Sequence, residues 1–273
     1  MKISKVVNAL EQFAPLPLQE DYDNAGLQIG LTEAEVSGAL LCLDVTEQVV
    51  DEAISLGCNL IVSHHPLIFH KLRRITGEDY VQRTVMKAIE NHVAIVSMHT
   101  NLDSARGGVN YKIAEKLGLT NLRFLGKQAT VETKGNDSYE TTVVVDGGEG
   151  VIGELPEPRT ADDFIIMLKQ RFGAECVMAN QLLRRGIRKV ALCGGAGSFL
   201  LPQAIAQGAD AFVTGEMHYH EYFGHDQELQ IAVIGHYQSE QYTCEIFREV
   251  IERECPGVKC FITSVNTNPI IYL

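Results

Sequence analysis

The sequence lacks any apolar run near the roughly 18 residues that a membrane-spanning helix needs. It also lacks low-complexity stretches, and its 45% of hydrophobic residues supplies enough apolar material for a folded core. A signal peptide is not indicated, because Met1–Phe13 spaces its apolar residues as an amphipathic surface helix does. These absences predict a folded protein of the cytoplasm.

Closely spaced cysteine pairs of the metal-binding kind are absent, although the chain has seven cysteines. An odd, dispersed set without an export signal predicts reduced thiols in the cytoplasm. The Gly-x-Ser-x-Gly elbow of a serine hydrolase is missing too. A nucleophilic serine or cysteine is therefore not the chemistry that this sequence indicates.

Positive charge is scarce, with 23 Lys and Arg against 35 Asp and Glu, a formal net charge of -12. An acidic protein repels a polyphosphate backbone on average, so the charge disfavours general nucleic-acid binding. Residues 184–189 form a dense basic run. We interpret this run as a solvated turn before a strand.

An internal repeat organises the rest of the sequence. The stretch from Leu41 to His65 matches the stretch from Leu192 to Glu216 without a gap, at an offset of 151 residues. Each copy predicts an apolar strand, a helix, a glycine and a second buried strand. Thr46 and Ser198 are the predicted helix N-caps. Gly57 and Gly208 are predicted to end the helices in left-handed backbone, as copies of one duplicated α/β unit.

The repeat resumes at a second pair of predicted strand ends, now at an offset of 137 residues. His99 stands four residues before Asp103, and His236 stands four residues before Glu240. The segment between the halves predicts a hairpin over Gln128–Val145 with a turn at residues 135–137, then a helix from Thr160 through Arg171. We interpret this segment as a connection rather than a third domain.

Histidines and carboxylates follow three of the predicted strands. In open α/β sheets, sites form at the carboxyl ends of strands, so these side chains are expected at one rim. Imidazole and carboxylate suit Zn, Fe, Mn or Co, and two such ions together activate water. Any one of these residues taken alone is also explained as a buried histidine or a helix-capping aspartate. The residues are His64, His65, His99, Asp103, His236 and Glu240.

Two further segments have weaker chemical signals. Gly215–His220 occupies the place in the second half that His64-His65 holds in the first. Its Glu216 and His220 are candidates for supporting a metal ligand or contacting a substrate, whereas His218 is expected at the surface. Gly194–Ser198 precedes a helix, so its backbone N–H groups could hold an anion. No lysine follows as in a Walker loop, and a tight strand-to-helix turn alone also explains the glycines.

Five motifs are spread along nearly the whole chain: Asp23–Gly30, Ser63–Pro66, His99–Asp103, Thr214–Glu216 and Gly235–Glu240. Together they resemble the GTP cyclohydrolase 1 type 2 family, also called Ngg-interacting-factor-three-like proteins. The resemblance implies two pseudo-symmetric α/β lobes, with mixed sheets flanked by helices and a dinuclear metal site in the cleft between the lobes. We expect a first lobe over 1–125, a connection over 126–186 and a second lobe over 187–273. The connection is too short for the domain that some relatives insert there.

The resemblance also implies a function. It assigns two divalent ions per chain to His64, His65, Asp103, His236 and Glu240, with His99 close by. It implies toroidal homohexamers, no membrane partner, and a metal-dependent hydrolase acting on a nucleotide or related small molecule, with GTP ring opening attributed to some relatives. His99, His220 and Glu216 are then the acid–base candidates. The alternative is a non-enzymatic, metal-dependent oligomeric scaffold or regulator.

Overall fold

The computed structural model describes residues 1–134 and 142–273 of the chain. The strands, numbered in chain order, are β1 (Gly26–Ile29), β2 (Ala39–Cys42), β3 (Leu60–Ser63), β4 (Ala94–Ser97), β5 (Thr120–Phe124), β6 (Gln128–Lys134), β7 (Thr142–Gly148), β8 (Val151–Arg159), β9 (Met178–Ala179), β10 (Ile187–Cys193), β11 (Ala211–Thr214), β12 (Gln230–Val233) and β13 (Cys260–Ile262).

The α-helices, numbered in the same way, are α1 (Ile3–Phe13), α2 (Glu47–Ser55), α3 (Tyr80–Glu90), α4 (Thr100–Ser104), α5 (Val109–Leu117), α6 (Ala161–Phe172), α7 (Leu201–Ala206), α8 (His236–Glu240) and α9 (Thr243–Glu254). Short 3-10 helices cover Leu16–Leu18, Ser198–Leu200 and Tyr219–Tyr222. Within the described ranges, none of the helices has both the length and the apolarity needed to cross a membrane.

The chain divides into two compact units. Unit 1 comprises Met1–Ala105, Thr130–Val145 and Thr243–Pro269, and unit 2 comprises Arg106–Ala129, Asp146–Tyr242 and Ile270–Leu273. These units do not coincide with the predicted bounds of 1–125, 126–186 and 187–273. The reason is that β13 pairs in parallel with β2 and α9 packs on α1, so both late elements belong to unit 1.

Unit 1 contains a five-stranded mixed sheet in the order β1-β4-β3-β2-β13. The strands β2, β3, β4 and β13 run parallel, and β1 pairs antiparallel with β4 at one edge. All residues of β2, β3 and β4 are buried, as expected for parallel strands covered on both faces. Leu40 and Ile61 pack against Val49 of α2 and Val85 of α3, while alternate residues face the opposite side.

Unit 2 contains a six-stranded mixed sheet in the order β5-β8-β10-β11-β12-β9. Its centre, β10-β11-β12, is parallel, and its other pairings are antiparallel. Phe212 and Ile231 form the core with Leu200, Leu201 and Ala204, at the start of the helical segment that follows β10. Burying such a side chain stabilises the fold by roughly 1.5–3 kcal/mol.

The segment predicted as a connection supplies structure to unit 2. Its strand β8 pairs antiparallel with both β10 and β5, so residues 151–159 are an integral part of the sheet. The predicted hairpin is present as the β6-β7 pair, and its predicted turn at 135–137 lies outside the described residues. Thr160 caps α6 by accepting a hydrogen bond from the backbone N–H of Asp163, and Gly173 ends this helix in left-handed backbone.

The predicted repeat is visible in the strand order. β2-β3-β4 in unit 1 and β10-β11-β12 in unit 2 are parallel triplets, each with an antiparallel strand beside its third member. Gly57 and Gly208 follow the matched helices with φ of 69° and 66°. Thr46 caps α2 as predicted. The prediction for Ser198 is wrong, because its hydroxyl donates to Glu221 and a 3-10 turn precedes α7.

Candidate metal centre

The carboxyl ends of the parallel strands in unit 1 carry the predicted histidines. His64 and His65 directly follow β3, His99 follows β4 after one residue, and Asp44 follows β2. Because these strands are parallel, their ends lie along one edge of the sheet. The antiparallel β1 begins at this same edge, where Gly26 pairs with Ser97, so the segment just before β1 also reaches it.

Four side chains form what we call the unit 1 cluster: His64, His65, His99 and Asp103. One ring nitrogen from each of the three histidines lies within 4.8 Å of the others. Nε2 of His64 lies 3.6 Å from Oδ1 of Asp103, which α4 carries one helical turn after His99. His64 is fully buried, whereas Asp103 is partly exposed. The structure therefore brings these four predicted residues together.

Each histidine of the unit 1 cluster has its Nδ1 fixed by a hydrogen-bond acceptor. Nδ1 of His64 lies 2.8 Å from the carbonyl oxygen of Met98. Nδ1 of His65 lies 2.7 Å from Oδ1 of Asp44, and Nδ1 of His99 lies 2.7 Å from Oδ1 of Asp23. A carbonyl or carboxylate oxygen can only accept, so Nδ1 carries the proton. The neutral imidazole then has its lone pair on Nε2, the form that binds metal ions.

The two orienting carboxylates are held in their ionised form. Burial alone raises the pKa of Asp23, but hydrogen bonds from His99, from Thr100 and from the backbone N–H of Asn24 outweigh burial and lower this pKa to about 2. Burial likewise raises the pKa of Asp44, yet hydrogen bonds from His65 and Thr267 hold it below its ordinary value. Both carboxylates are therefore acceptors at neutral pH.

In unit 2 the corresponding side chains are His236 and Glu240, which we call the unit 2 pair. Both lie on α8, one helical turn apart, directly after β12. Nε2 of His236 lies 3.1 Å from Oε2 of the buried Glu240, and its Nδ1 lies 2.9 Å from Oε1 of Glu216. Glu216, a predicted acid–base candidate, thus occupies the orienting position that Asp44 and Asp23 occupy in unit 1.

The glycine-rich turn after β10 has a structural role in unit 2. The N–H groups of Gly194, Gly195 and Gly197 donate to the side chains of Asn110, Ser239 and Thr214, respectively. These three donors are already occupied, which removes the basis for the predicted anion cradle. Gly195 instead has φ of 56°, and a Cβ at this position would collide with Oε1 of Glu240. The turn makes room for the carboxylate of the unit 2 pair.

A cavity of about 300 Å³ opens beside His236 in unit 2. Its walls include Glu216, His218, Met217 and Met178. His218, expected at the surface, is exposed but reaches this cavity. Within the described residues His220 does not line it; its ring lies against Tyr219 and Phe223, with centroids 5.3 and 6.1 Å away. The structure thus places the predicted candidate His220 apart from His236.

The motif that starts at Asp23 holds the unit 1 edge in place. Asn24 donates from Nδ2 to the carbonyl oxygen of Ile68 over 2.6 Å, and Oε1 of Gln28 accepts from the N–H of Ile68 over 3.2 Å. These two hydrogen bonds therefore tie the chain that follows His65 to β1 and to the residues just before it. The orienting roles of Asp23 and Asp44 were not predicted from the sequence, although Asp44 follows a predicted strand as the histidines do.

The donor set fits a divalent metal ion. Two donor atoms that each lie ~2.1 Å from one ion, in tetrahedral or octahedral geometry, are about 3.0–3.4 Å apart. The His236–Glu240 distance of 3.1 Å lies in this range, and the His64–Asp103 distance of 3.6 Å lies just above it. Each unit thus contains side chains that could hold a metal ion.

Comparisons with known proteins indicate a family for this chain. The family model for DUF34/NIF3, NGG1p interacting factor 3, matches residues 1–269. A Clostridium acetobutylicum protein named GTP cyclohydrolase 1 type 2 homolog is 32% identical over 254 residues, covering 92% of this chain and 90% of that protein. A Clostridium perfringens protein of the same name is 31% identical over 275 residues, with 100% of both chains covered.

Solved structures show the same fold. A Staphylococcus aureus hypothetical protein superposes with a TM-score of 0.87 at 29% identity, over 100% of this chain and 99% of its own. A Bacillus cereus protein related to NIF3 superposes with a TM-score of 0.84 at 28% identity, with the same coverage. The resemblance stated from the sequence motifs is confirmed: the chain belongs to the DUF34/NIF3 family.

Proposed function

We propose that this protein holds two divalent metal ions per chain and is a metal-dependent hydrolase that acts on a nucleotide or a related small molecule. The proposed ligands are His64, His65 and Asp103 from unit 1 and His236 and Glu240 from unit 2. The observation that carries the proposal is the shared arrangement of the histidines. All of them, with His99, have Nδ1 against an oxygen acceptor and Nε2 as the remaining ring nitrogen.

The donor chemistry supports Zn, Fe, Mn or Co as the ions, since imidazole and carboxylate ligands suit these metals. When bound, such ions supply Lewis acidity and lower the pKa of a water molecule. The protein's own part is to fix the ligands. Asp44 and Glu216 orient His65 and His236, and hydrogen-bonded acceptors of this kind are worth about 10–100-fold in metal affinity.

His99 is the best placed of the predicted acid–base candidates. Its side chain is partly exposed and lies in the unit 1 cluster, and Asp23 fixes its orientation. With Nδ1 held by this carboxylate, Nε2 is the ring atom of His99 that is left to accept a proton. Glu216 is better explained as the residue that orients His236. The surface position of His220 supports only a role in contacts with a substrate or another chain.

The cavity beside His236 supports a small-molecule substrate. Its volume of about 300 Å³ lies at the lower end of the range for ligand pockets. Met178, Met217 and Ile270 give it apolar walls, and Glu216 and His218 add polar groups. The curated relatives are named for GTP cyclohydrolase, an activity in which water is added to a purine ring. This name is the reason to begin a substrate screen with GTP.

Elemental analysis of the metal content tests the centre directly. We expect about two ions per chain in the wild type and fewer in His64→Ala and Glu240→Ala, because each change removes a ligand. His92→Asn is the matched control, since His92 is exposed and precedes β4 at the opposite edge of the sheet. A wild type that takes up no Zn, Mn or Fe, or a control that loses as much metal as the variants, contradicts the proposal.

The scaffold alternative also has an observation in its favour. Tyr219 and Phe223 are 73% and 62% exposed and lie beside each other on unit 2, as at surfaces that bind other chains. A homohexamer is the assembly that the family resemblance implies. Particle mass measured before and after chelation separates the two proposals. A metal-loaded protein that hydrolyses none of a set of nucleotides, pterin precursors and phosphoesters, and whose assembly dissociates without metal, favours the scaffold.

A further inference from the structure

A second cavity lies in unit 1, on the segment that connects β3 to α3. Its volume is about 780 Å³, within the range of pockets for small organic ligands. Residues 66–82 form its walls. Cationic and aromatic side chains dominate the exposed part of this lining: Phe69, His70, Lys71, Arg73, Arg74 and Tyr80.

The connecting segment is held at both ends. Ile68 is clamped by Asn24 and Gln28, as described above. At the other end the buried side chain of Gln82 accepts hydrogen bonds from the N–H and hydroxyl of Thr76, at 2.8 and 3.0 Å. Hydrogen bonds therefore hold both ends of the loop that carries the cations.

The cations of this loop differ from those of the neighbouring helix. On α3, Arg83 pairs with Glu47 at 3.0 Å and Lys87 pairs with Asp51 at 2.6 Å. Lys71, Arg73 and Arg74 form no ion pair with any residue in 1–134 or 142–273. The chain as a whole has a net charge of -12, so these three cations make the surface around this cavity positively charged where most of the protein is negative.

The two carboxylates of the lining do not cancel this charge. Asp79 is engaged as the N-cap of α3, accepting from the N–H of Gln82 at 2.8 Å and from its Nε2 at 3.0 Å. Glu78 is the other acid. Three cations against two carboxylates leave a net charge of +1, before the hydrogen bonds of Asp79 are considered.

Aromatic rings connect this cavity to the unit 1 cluster. The ring of Phe69, which lines the cavity, lies 5.0 Å from the ring of His70 and 6.1 Å from the ring of His99. Tyr22 meets Phe69 edge-on at 6.5 Å. A ligand held in the cavity would therefore lie close to His99, separated from it by one aromatic side chain.

We infer that this cavity is a binding site for a small molecule that carries phosphate groups, with Lys71, Arg73 and Arg74 as the phosphate contacts. Guanidinium and ammonium groups are the usual phosphate partners in proteins. The site adjoins the proposed metal centre but does not require it, so each is tested separately. A small ligand is favoured over a nucleic acid by the size of the cavity and by the acidic character of the rest of the chain.

Titration calorimetry with sodium tripolyphosphate on chelator-stripped protein tests this site. We expect one tripolyphosphate per chain, and binding about tenfold or more weaker in the triple variant K71Q/R73Q/R74Q. Arg184→Gln, which removes an exposed cation of unit 2, is the control and should change the affinity less than about twofold. Equal weakening by the control, or no saturable binding, would overturn the proposal.

Two further measurements keep the test decisive. Unfolding midpoints show whether the triple variant folds, and the single variant Arg74→Gln replaces it if it does not. Titration with a single-stranded oligonucleotide compares the polymer with the small anion. If the oligonucleotide binds more tightly than tripolyphosphate and depends on the same three side chains, the small-molecule proposal is wrong. Binding that appears only after metal is restored, and survives the triple change, also contradicts it.

Discussion

Asp44 follows β2 in unit 1, and Gly195 stands at the matched position after β10 in unit 2, 151 residues later. Asp44 accepts a hydrogen bond from Nδ1 of His65. Gly195 has no side chain, and the space where a Cβ would lie is taken by the carboxylate of Glu240. At this matched position of the repeat, unit 1 has a side chain that orients a histidine, and unit 2 has a glycine that leaves space for a carboxylate.

A second matched pair extends the comparison. His65 follows β3, and Glu216 holds the matched position after β11. In unit 1 this position carries a candidate ligand, whereas in unit 2 it carries the acceptor that orients the candidate ligand His236. The two units thus share a strand order, but the residues at the matched strand ends have different roles.

The largest effect is expected at Gly195, the glycine that stands in unit 2 where unit 1 has Asp44. Gly195→Ala forces a Cβ against Glu240 at φ of 56°, which should cost roughly 2–4 kcal/mol of unfolding free energy and displace the unit 2 pair. Gly208→Ala is the matched control, because its φ is 66° but nothing lies within 4 Å of the added carbon. The control should cost about 1 kcal/mol. Urea denaturation measures both values, and equal values would show that Glu240 does not fill this space.

The orienting carboxylates Asp44 and Glu216 should both contribute to zinc affinity, but unequally. Asp44→Asn and Glu216→Gln should each weaken zinc binding by about 10–100-fold, because an uncharged amide replaces the carboxylate. The amide oxygen is a weaker acceptor, and the amide NH2 group can face Nδ1 instead, so the tautomer of the histidine is no longer fixed. The larger loss is expected for Asp44, which is 34% exposed against 56% for Glu216 and so is screened less by solvent. Competition with a chelator measures the affinities. Asp51→Asn, which changes an exposed acid paired with Lys87, serves as control, and an equal loss there would refute the orienting role.

The parts of the fold that the sequence predicts are those built from local patterns. Apolar runs identify β2, β3, β10 and β11, and the fixed offset between the copies identifies the repeat. β8 was missed as a sheet strand, since Pro156 and Pro158 interrupt its outer half and its partner β10 lies about 30 residues further on. β13 has three residues and pairs with a strand more than 200 positions away, which no local pattern encodes.

In the candidate site, too, only the residues that follow local patterns are predictable from the sequence. The histidines and Asp103 stand directly after predicted strands, so their position at a sheet edge follows from the chain order. Asp23 reaches His99 across 76 residues only because β1 runs antiparallel to β4, and this pairing is not readable from a four-residue strand. The cations at 71–74 were not singled out from the sequence, because the cavity they line depends on hydrogen bonds with the distant Asn24 and Gln28 and with Gln82.

The smallest expected effect concerns a carboxylate that only unit 1 has. Glu52 on α2 accepts hydrogen bonds from the N–H and hydroxyl of Ser264 and from the hydroxyl of Thr263, and so ties the C-terminal segment to unit 1. The matched residue of α7 is Gln203, whose Oε1 has no hydrogen-bond partner among the described residues. Glu52→Gln therefore gives unit 1 the side chain of unit 2 at this position.

The effect of Glu52→Gln should depend on pH in a defined direction. Partial burial raises the pKa of Glu52, but the hydrogen bonds from Ser264 and Thr263 hold it below its ordinary value of 4.5. A carboxyl whose pKa is lower in the folded state stabilises the fold above 4.5, and this contribution is lost as the pH falls through the folded-state value. The variant should be less stable at neutral pH, and its deficit should shrink below pH 4.5. Urea unfolding at a series of pH values measures this, and a deficit that stays constant down to about pH 3 would show that the charge of Glu52 does not hold the C-terminal segment.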